Sequence, residues 1–360
     1  MKQAILCAAI LYLVSGEDDL ANLDMDSITF FSAPQPAELS FTRFLRITGV
    51  NISEIDSVML DEIKRRYQIA RSRLENLRRN PNITFDVDFM PSDAWSEARR
   101  KNLLGLVLPN KQMGPSDPSV KRLSSASTRT FHYNYVNYVR RRLVTKAKDQ
   151  GSCGACYAFA AIAAIESQLL IAKLSPFVLS VQQNVACTNR RYVWYESVYN
   201  ELCNGGHPYI SMRYYSITAA LTEAQLPYDP DTLTEVACDA YQMSQPNTLD
   251  YVRVPLRDEN HLAYLLEHNG PLVVFLCATA DLQSYTGRIF NGDCDGPLNH
   301  AVLLVGLEES DGLEYWVLKN SWGEDWGVNG FFYLPKGRNM CNLTWEPVTI
   351  ARIDAYVVAE

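Results

Sequence analysis

The stretch of sequence that decides the fold is Gln150-Gly151-Ser152-Cys153-Gly154-Ala155-Cys156-Tyr157-Ala158-Phe159. It places Cys156 at the start of a mainly apolar segment that continues to Leu174. The first turn of a helix carries partial positive charge and unpaired N–H groups, and both favour a thiolate over a thiol. The amide of Gln150 can donate a hydrogen bond to a developing oxyanion. This stretch therefore predicts a reactive cysteine at a helix N-terminus.

Two further motifs follow at long range. His300 lies in Leu298-Asn299-His300-Ala301-Val302, 144 residues after Cys156, and Asn320 begins Asn320-Ser321-Trp322-Gly323, 164 residues after it. The run from Cys153 to Tyr157 fits the nucleophile signature of papain and the cathepsins, and the histidine and asparagine follow at nearly the spacing of that family. The three motifs together resemble the papain-like (cathepsin L-like) cysteine peptidases.

The order of helix-like and strand-like segments along the chain agrees with an α+β protein. Residues 156 to about 245 are helix-like, and short β-rich runs dominate from Pro271 onward, at 271–277, 301–306, 315–318, 330–334 and 348–358. Helices followed by strands argue for an α+β fold. The resemblance implies a papain-like fold of two lobes, one helical and one a β-barrel, with Cys156 and His300 facing each other across a cleft.

The resemblance also implies catalytic roles. Cys156 would attack a peptide carbonyl as a thiolate, and His300 would form the imidazolium partner and protonate the leaving amine. Asn320 would orient the imidazole, with Trp322 shielding their hydrogen bond from water. The Gln150 side chain and the Cys156 backbone N–H would form the oxyanion hole.

Substrate contacts are implied in the same way. Gly205 and Gly206 would form a ledge that pairs with the substrate backbone, and Trp326 would line the leaving-group side. The main specificity pocket would be formed by His207, Pro208, Phe275, Leu298 and Ala301, with Glu346 at its base. Its apolar lining favours bulky aliphatic or aromatic side chains. Glu346 would admit arginine, stacked on Phe275, unless it points to solvent or Phe275 shortens the pocket.

Nine cysteines fit an oxidising compartment. Their spacing alone does not give the connectivity. The resemblance implies the disulfides Cys153–Cys203, Cys187–Cys238 and Cys294–Cys341. Cys277, in an apolar run, is then expected as a buried free thiol. The aromatic-rich loop from Thr188 to Leu202 would either shape an outer substrate pocket or pack onto the helical lobe.

The chain divides into three parts. Residues 1–16 have the charged, apolar and small-residue regions of a signal peptide. The resemblance implies that residues 17–126 form a propeptide, with a helical region at about 41–104 and an exposed linker from about 105. Within it, 17–40 is an acidic, poorly ordered lead-in, and the charged helix from Met59 to Asn80 resembles an inhibitory propeptide helix through Glu62 and Arg66. Residues 127–360 form the papain-like peptidase domain.

Composition limits the partners. A net charge of −8 and a pI near 5.3 argue against nucleic acid. The 156–174 segment contains Glu166 and Lys173 and is better interpreted as a core helix than as a membrane span. We expect no metal, because His132, His207, His261 and His268 lack ligand spacing. No other cofactor is expected. We expect a monomer in the secretory pathway, lysosomal or extracellular, with its own propeptide as intramolecular inhibitor and proteins or peptides as substrates.

Three functional alternatives remain at this point. The first is a cysteine endopeptidase made as a zymogen, since no inserted loop with a histidine pair lies between Gly206 and Cys238 to block the cleft. The second is a catalytically impaired relative that binds peptides or inhibits proteases. The third is thiol–disulfide exchange at Cys153-x-x-Cys156.

Sequons for N-glycosylation begin at Asn51, Asn82 and Asn342.

Overall fold

The structure is a computed structural model that describes residues 19–21, 23, 38–101, 103–108, 131–174, 178–189, 200–238, 249–254, 256 and 258–353. Several predictions lie wholly or partly outside the described residues. They are the signal peptide at 1–16, most of the lead-in at 17–40, the linker at 109–130 with the boundary at 126/127, residues 190–199 of the aromatic loop, and the end of the last predicted strand at 354–358.

Helix α4 (Cys156–Ile171) forms the centre of the helical lobe. Its sequence contains neither Gly nor Pro, and every residue from Cys156 to Leu169 is buried. A helix that is apolar on all sides must be covered on all sides, and α4 packs against helices α5 (Val181–Cys187) and α6 (Pro208–Tyr215) and against strand β6 (His300–Ser310). The segment therefore folds as a core helix, as its composition predicts.

The β-rich lobe is a seven-stranded antiparallel sheet. Its strands are β2 (Val136–Asn137), β3 (Leu249–Arg253), β4 (Leu272–Leu276), β6, β7 (Leu313–Lys319), β8 (Phe331–Pro335) and β9 (Val348–Ile353). The order is β3-β9-β4-β6-β7-β8, with β2 also paired to β6. Helix α7 (Glu259–Asn269) connects β3 to β4. The α+β class is confirmed, and the five predicted β-rich runs correspond to β4, β6, β7, β8 and β9, of which the last is described as far as Ile353. Strands β2 and β3 were not predicted.

A buried polar cluster joins the two lobes. The carboxylate of Glu166 on α4 accepts hydrogen bonds from Thr145 Oγ1 at 2.6 Å and Lys148 Nζ at 3.0 Å. Lys319, the last residue of β7, donates from Nζ to the same Thr145 hydroxyl at 2.8 Å. Burial lowers the pKa of Lys319 to about 8. A buried carboxylate must be paired, and here its partners come from both lobes.

Three disulfides are present, Cys153–Cys203, Cys187–Cys238 and Cys294–Cys341. They are the pairs that the resemblance implies. Because Cys153 is bonded to Cys203, it does not form a redox pair with Cys156. Cys156 and Cys277 are free and buried.

The predicted propeptide contains helices α1 (Phe41–Thr48), α2 (Ser57–Arg79) and α3 (Glu97–Lys101), and α2 matches the predicted helix from Met59 to Asn80 within two residues. Phe44, Tyr67 and Phe89 pack their rings together between these elements. Glu62 bonds to Arg66 at 2.7 Å. Elsewhere in this unit Arg73 bonds to the buried Asp93 at 2.8 Å. The helical region therefore has a small core of its own.

This unit docks on the peptidase domain through strand pairing. Strand β1 (Asp86–Val87) pairs with β5 (Tyr285–Gly287), which precedes the buried Arg288. Both nitrogens of the Arg288 fork bond to the Asp86 carboxylate, at 3.0 and 2.5 Å. The ring of Phe85 lies 4.5 Å from that of Phe290. Docking therefore combines backbone, charge and aromatic contacts.

The acidic lead-in differs from its prediction. Residues 19–21 pair with the peptidase domain, through a bridge between Leu20 and Thr145. The prediction of an unstructured segment was wrong for these residues because composition does not reveal an available backbone edge on a distant part of the chain.

The ion pair between Asp86 and Arg288 yields a test of docking. In the full chain, Asp86→Ala should accelerate alkylation of Cys156 roughly tenfold. A charge-assisted hydrogen-bond pair contributes about 1.5 kcal/mol or more, and its loss raises the population in which the propeptide is detached. Site-resolved mass spectrometry distinguishes Cys156 from Cys277. Asp61→Ala, which removes an exposed 3.6 Å pair with Lys64, is the matched control, and equal rates in the two variants would contradict the docking role.

Candidate active site

Cys156 is the first residue of α4 and is fully buried. Its sulfur accepts backbone hydrogen bonds from Tyr157 in its own helix, from Ala301 in β6 and from Gly105 in the propeptide. The helix N-terminus and the start of β6 therefore meet at this sulfur. The neighbouring His300 in β6 is thus brought to the cysteine from the opposite lobe.

The histidine is held by Asn320. His300 Nε2 lies 2.8 Å from Asn320 Oδ1, which also accepts the Ser321 N–H at 2.8 Å. An amide oxygen only accepts, so Nε2 carries the hydrogen and Nδ1 holds the lone pair in the neutral ring. Within the described residues Nδ1 is buried without a hydrogen-bond partner. The ring thus presents a free base on its other side.

Two tryptophans cover this pair. The ring of Trp322 stacks on His300 with centroids 4.8 Å apart. Trp326 meets Trp322 edge-on at 5.0 Å and donates from Nε1 to Gln283 O at 3.2 Å. Water is therefore excluded from one face of the histidine. The position of Trp326 behind Trp322 is observed, and its contact with a leaving group stays a prediction.

Gln150 is fixed by a residue that the sequence did not single out. Its Oε1 accepts from Ser321 Oγ at 2.6 Å, so the amide NH₂ must point the other way. Nε2 donates to Cys153 O at 2.8 Å and to Leu103 O, in the propeptide, at 3.1 Å. A peptide carbonyl therefore occupies the donor that was predicted to bind an oxyanion. Ser321 directly follows Asn320, and this adjacency was the one feature of the sequence that could have pointed to Ser321 as a site residue.

The propeptide crosses the site as an extended strand. Gly206 N donates to Gly105 O at 2.8 Å, Val107 N donates to Gly206 O at 2.9 Å, and Leu106 pairs in parallel with Gly206. A side chain at Gly105 would place its Cβ 1.9 Å from Gly154 O, so only glycine permits this approach. Gly205 has a φ of +108°. The two predicted ledge glycines thus lie against a bound peptide.

Some of the residues predicted to form the specificity pocket lie together. The rings of His207 and Phe275 lie 5.2 Å apart, and Ala301 pairs with Phe275 across the sheet. Pro208 begins α6, and Leu298 is half-buried beside the core. Burial lowers the pKa of His207 to about 3, so this wall of the pocket is neutral.

One residue that supports this wall was missed. Asn200 Oδ1 accepts the His207 N–H at 2.8 Å, while its Nδ2 donates to Thr188 and Ser211. A Cβ on Gly206 would meet the same oxygen at 2.3 Å. Nothing in the sequence near Asn200 indicated this role.

Glu346 does not face the pocket as an unpaired carboxylate. Its Oε2 bonds to Arg253 Nη1 at 3.0 Å, and the Arg253 side chain is only 10% exposed. Arg253 also contributes to the lowered pKa of His207, so its charge acts at the pocket wall. The arginine-accepting alternative assumed an available carboxylate. It overlooked Arg253 because strand β3 was not predicted.

Burial controls ionisation at the centre. It raises the pKa of the Cys156 thiol to about 11, although backbone N–H groups act in the opposite direction. It lowers the pKa of His300 to about 4, although the Asn320 bond acts to raise it. At neutral pH both groups are therefore uncharged in this state.

In the described part of the chain, no group of three or more His, Cys, Asp or Glu side chains is arranged to hold a metal ion. Among the same residues no helix is both long and apolar enough to cross a membrane.

Comparison with known proteins places this site in a family. A family model described as papain family cysteine protease matches residues 134–351. A cysteine proteinase of Theileria annulata is 35% identical over 221 residues, which is 58% of this chain and 45% of the relative. A viral cathepsin of Mamestra configurata nucleopolyhedrovirus is 30% identical over 299 residues, 81% of this chain and 84% of the relative. Alignments with two further curated relatives span 60% and 55% of their lengths, so the chain spans about half the length of several such proteins.

Solved structures agree over a longer range. A recombinant stem bromelain precursor is 25% identical, with a TM-score of 0.68 over 88% of this chain and 98% of its own. Procathepsin L 3 from the larval midgut of Tenebrio molitor has the same fold, with a TM-score of 0.69 over 86% of this chain and 97% of its own, at 23% identity. With the family model covering more than half of its length, the chain belongs to the papain family of cysteine proteases.

Proposed function

We propose that this protein is a cysteine endopeptidase synthesised as a zymogen, with residues 17–126 as its inhibitory propeptide. The observation that carries the proposal is a continuous segment, residues 103–108, that lies over Cys156 and hydrogen-bonds Gln150 and Gly206. A cleft that holds an uninterrupted chain can hold an internal peptide bond. The site therefore favours cleavage within chains over removal of terminal residues.

The proposed mechanism uses the geometry directly. Cys156 attacks the substrate carbonyl carbon, and the oxyanion that forms accepts hydrogen bonds from Gln150 Nε2 and the Cys156 N–H. His300 protonates the leaving amine through Nδ1, since Nε2 is bonded to Asn320. A water molecule then attacks the thioester carbon while His300 accepts its proton; the carbon–sulfur bond breaks, the carboxylic acid product leaves, and the Cys156 thiolate and His300 imidazolium are restored. Asn320 and Trp322 keep the ring in position throughout.

Latency follows from burial. With the propeptide in place the cysteine is a thiol and the histidine is neutral, so the reactive ion pair is absent. Removal of residues 103–107 admits water, which favours both charged forms. Proteolysis between about Leu123 and Phe131 would release the covering segment in this scheme.

We assign the protein, as a monomer, to the secretory pathway and a lysosomal or extracellular destination.

The proposed specificity is apolar. Phe275, Ala301 and the neutral His207 line the pocket for the second residue before the scissile bond. Arg253 neutralises Glu346 there, so a substrate guanidinium would have to displace a preformed ion pair. Leucine or phenylalanine at that position is therefore favoured over arginine.

The first test concerns catalysis. The activated protein should cleave a peptide whose two ends are chemically blocked, and Cys156→Ala should abolish this activity. Cys277→Ser, which changes the other free thiol, should retain it. Asn320→Ala should lower kcat/KM by about 10²-fold or more, because the imidazole loses its orientation. Activity that survives in Cys156→Ala, or products released only from free chain ends, would refute the assignment.

The second test concerns ionisation. In the full chain, alkylation of Cys156 should be slow at pH 5–7 and rise toward the thiol pKa of about 11. Alkylation speeds up as the pH rises because a raised pKa keeps the sulfur protonated, and so unreactive, at lower pH. After the propeptide is removed, alkylation should be fast at pH 5–7. A full chain whose Cys156 already reacts at pH 6 as fast as the processed form would argue against burial as the cause of latency.

The third test concerns the pocket. Arg253→Met should raise the ratio of kcat/KM for arginine over leucine substrates roughly tenfold, because the Glu346 carboxylate becomes available to a guanidinium. Adding Glu346→Gln to that variant should return the ratio to the wild-type value. Glu346→Gln alone is the matched control and should leave the ratio low. If wild type already prefers arginine, Arg253 does not mask Glu346.

A further inference from the structure

Residues 19–21, at the N-terminal end of the propeptide, make a contact with the peptidase domain that is far in sequence from the other propeptide contacts. Lys146 N donates to Asp19 O at 2.8 Å, and Ala21 N donates to Val144 O at 2.9 Å. Leu20 pairs in antiparallel fashion with Thr145 between these two bonds. Three residues of the propeptide thus add a short strand to a backbone edge of the peptidase domain.

The contact is also apolar. Ala21 is 5% exposed and Leu23 is 8% exposed, and both join the continuous hydrophobic core. A segment that only brushed the surface would leave these side chains in water. Backbone pairing with alternate side chains buried is the usual way in which an extended peptide is recognised by a strand edge.

The edge itself is rigid. Val144 and Thr145 are buried, and the Thr145 hydroxyl belongs to the polar cluster around Glu166. A groove of about 310 Å³ continues beside it, walled by Phe159, Val178 and Tyr228 and by the charged side chains of Lys146 and Glu223. Asp19 of the bound segment also lines this groove. The edge itself is built by the peptidase domain and would remain after the propeptide leaves.

The site is separate from the catalytic cleft. The cleft contacts of the propeptide involve Gln150, Cys156, Gly206 and Asn299, and its other docking contact involves β5 and Arg288. None of these residues belongs to the edge at 144–146. Three separate contacts on one tethered chain raise each other's occupancy through effective concentration.

We propose that the edge Val144–Lys146 is a peptide-binding site outside the catalytic cleft, whose occupant in the zymogen is the segment of this chain that contains residues 19–21 and Leu23. The ligand class is an extended segment with small or aliphatic side chains at alternate positions and two backbone groups for the Val144 carbonyl and the Lys146 N–H. The inference rests on the proposed division into propeptide and peptidase, and does not depend on catalysis.

The test uses hydrogen exchange in the full chain. Ala21→Pro removes the N–H that Val144 accepts and should accelerate exchange of the Lys146 amide at least tenfold. Ala21→Ser keeps that N–H and a small side chain, so it is the matched control and should keep wild-type exchange. Deletion of residues 17–23 should reproduce the effect of Ala21→Pro. Unchanged Lys146 exchange in both the proline variant and the deletion would overturn the proposal.

A second measurement asks whether the site outlasts the propeptide. Processed protein with Cys156 alkylated should bind a synthetic peptide of residues 17–25, and Lys146→Ala, which keeps the N–H, should bind it too. The same peptide with N-methyl alanine at position 21 should bind at least tenfold more weakly. Equal binding of the two peptides, or a deletion of 17–23 that lowers the melting temperature of the peptidase domain itself, would mean that the segment is part of the core and not a ligand. Because every readout is binding or exchange, these outcomes are independent of whether the protein cleaves peptides.

Discussion

The buried carboxylate of Glu166 is the interaction on which the site depends. It lies on α4, the helix that begins with Cys156, and through Thr145 it is linked to Lys319, which directly precedes Asn320. Burial acts to raise the pKa of Glu166, but the charges of Lys148 and Lys319, together with hydrogen bonds from Thr145 and the Leu179 N–H, hold that pKa below its usual value. Removal of one partner from such a pair typically destabilises a protein by about 3–5 kcal/mol, because a buried charge is left alone. The nucleophile and the residue that orients its base are therefore kept in register by a single polar cluster.

From that cluster the site is assembled by short bonds between neighbours. Asn320 holds His300, Ser321 holds Gln150, and Trp322 covers the imidazole, so three successive residues position three different groups. Such positioning residues act by limiting orientation, which is where much of the catalytic advantage of a preorganised site arises. The loop after β7 is thus a single orienting device.

Inhibition uses the same contacts as the proposed catalysis. The propeptide presents a carbonyl to Gln150 and a backbone to Gly206, and its glycine at position 105 permits an approach that closes the site to water. Exclusion of water strengthens hydrogen bonds but disfavours isolated charges. The exclusion of water therefore has two effects: the covering segment binds well, and the cysteine and histidine stay neutral.

The sequence by itself determined the features that depend on local pattern. The apolar run after Cys156 predicts a buried helix, the short β-rich runs after Pro271 predict a sheet, and the charged stretch before Asn80 predicts an amphipathic helix. The family motifs added the positions of His300, Asn320 and the disulfide cysteines. Tertiary structure alone decided which distant groups meet.

The pairing of Arg253 with Glu346, the support of His207 by Asn200 and the strand formed by residues 19–21 all join segments that no spacing rule connects. Each depends on the geometry of the folded backbone. A charge or an unpaired strand edge finds its partner only after the chain has brought them together, and local composition does not contain that information.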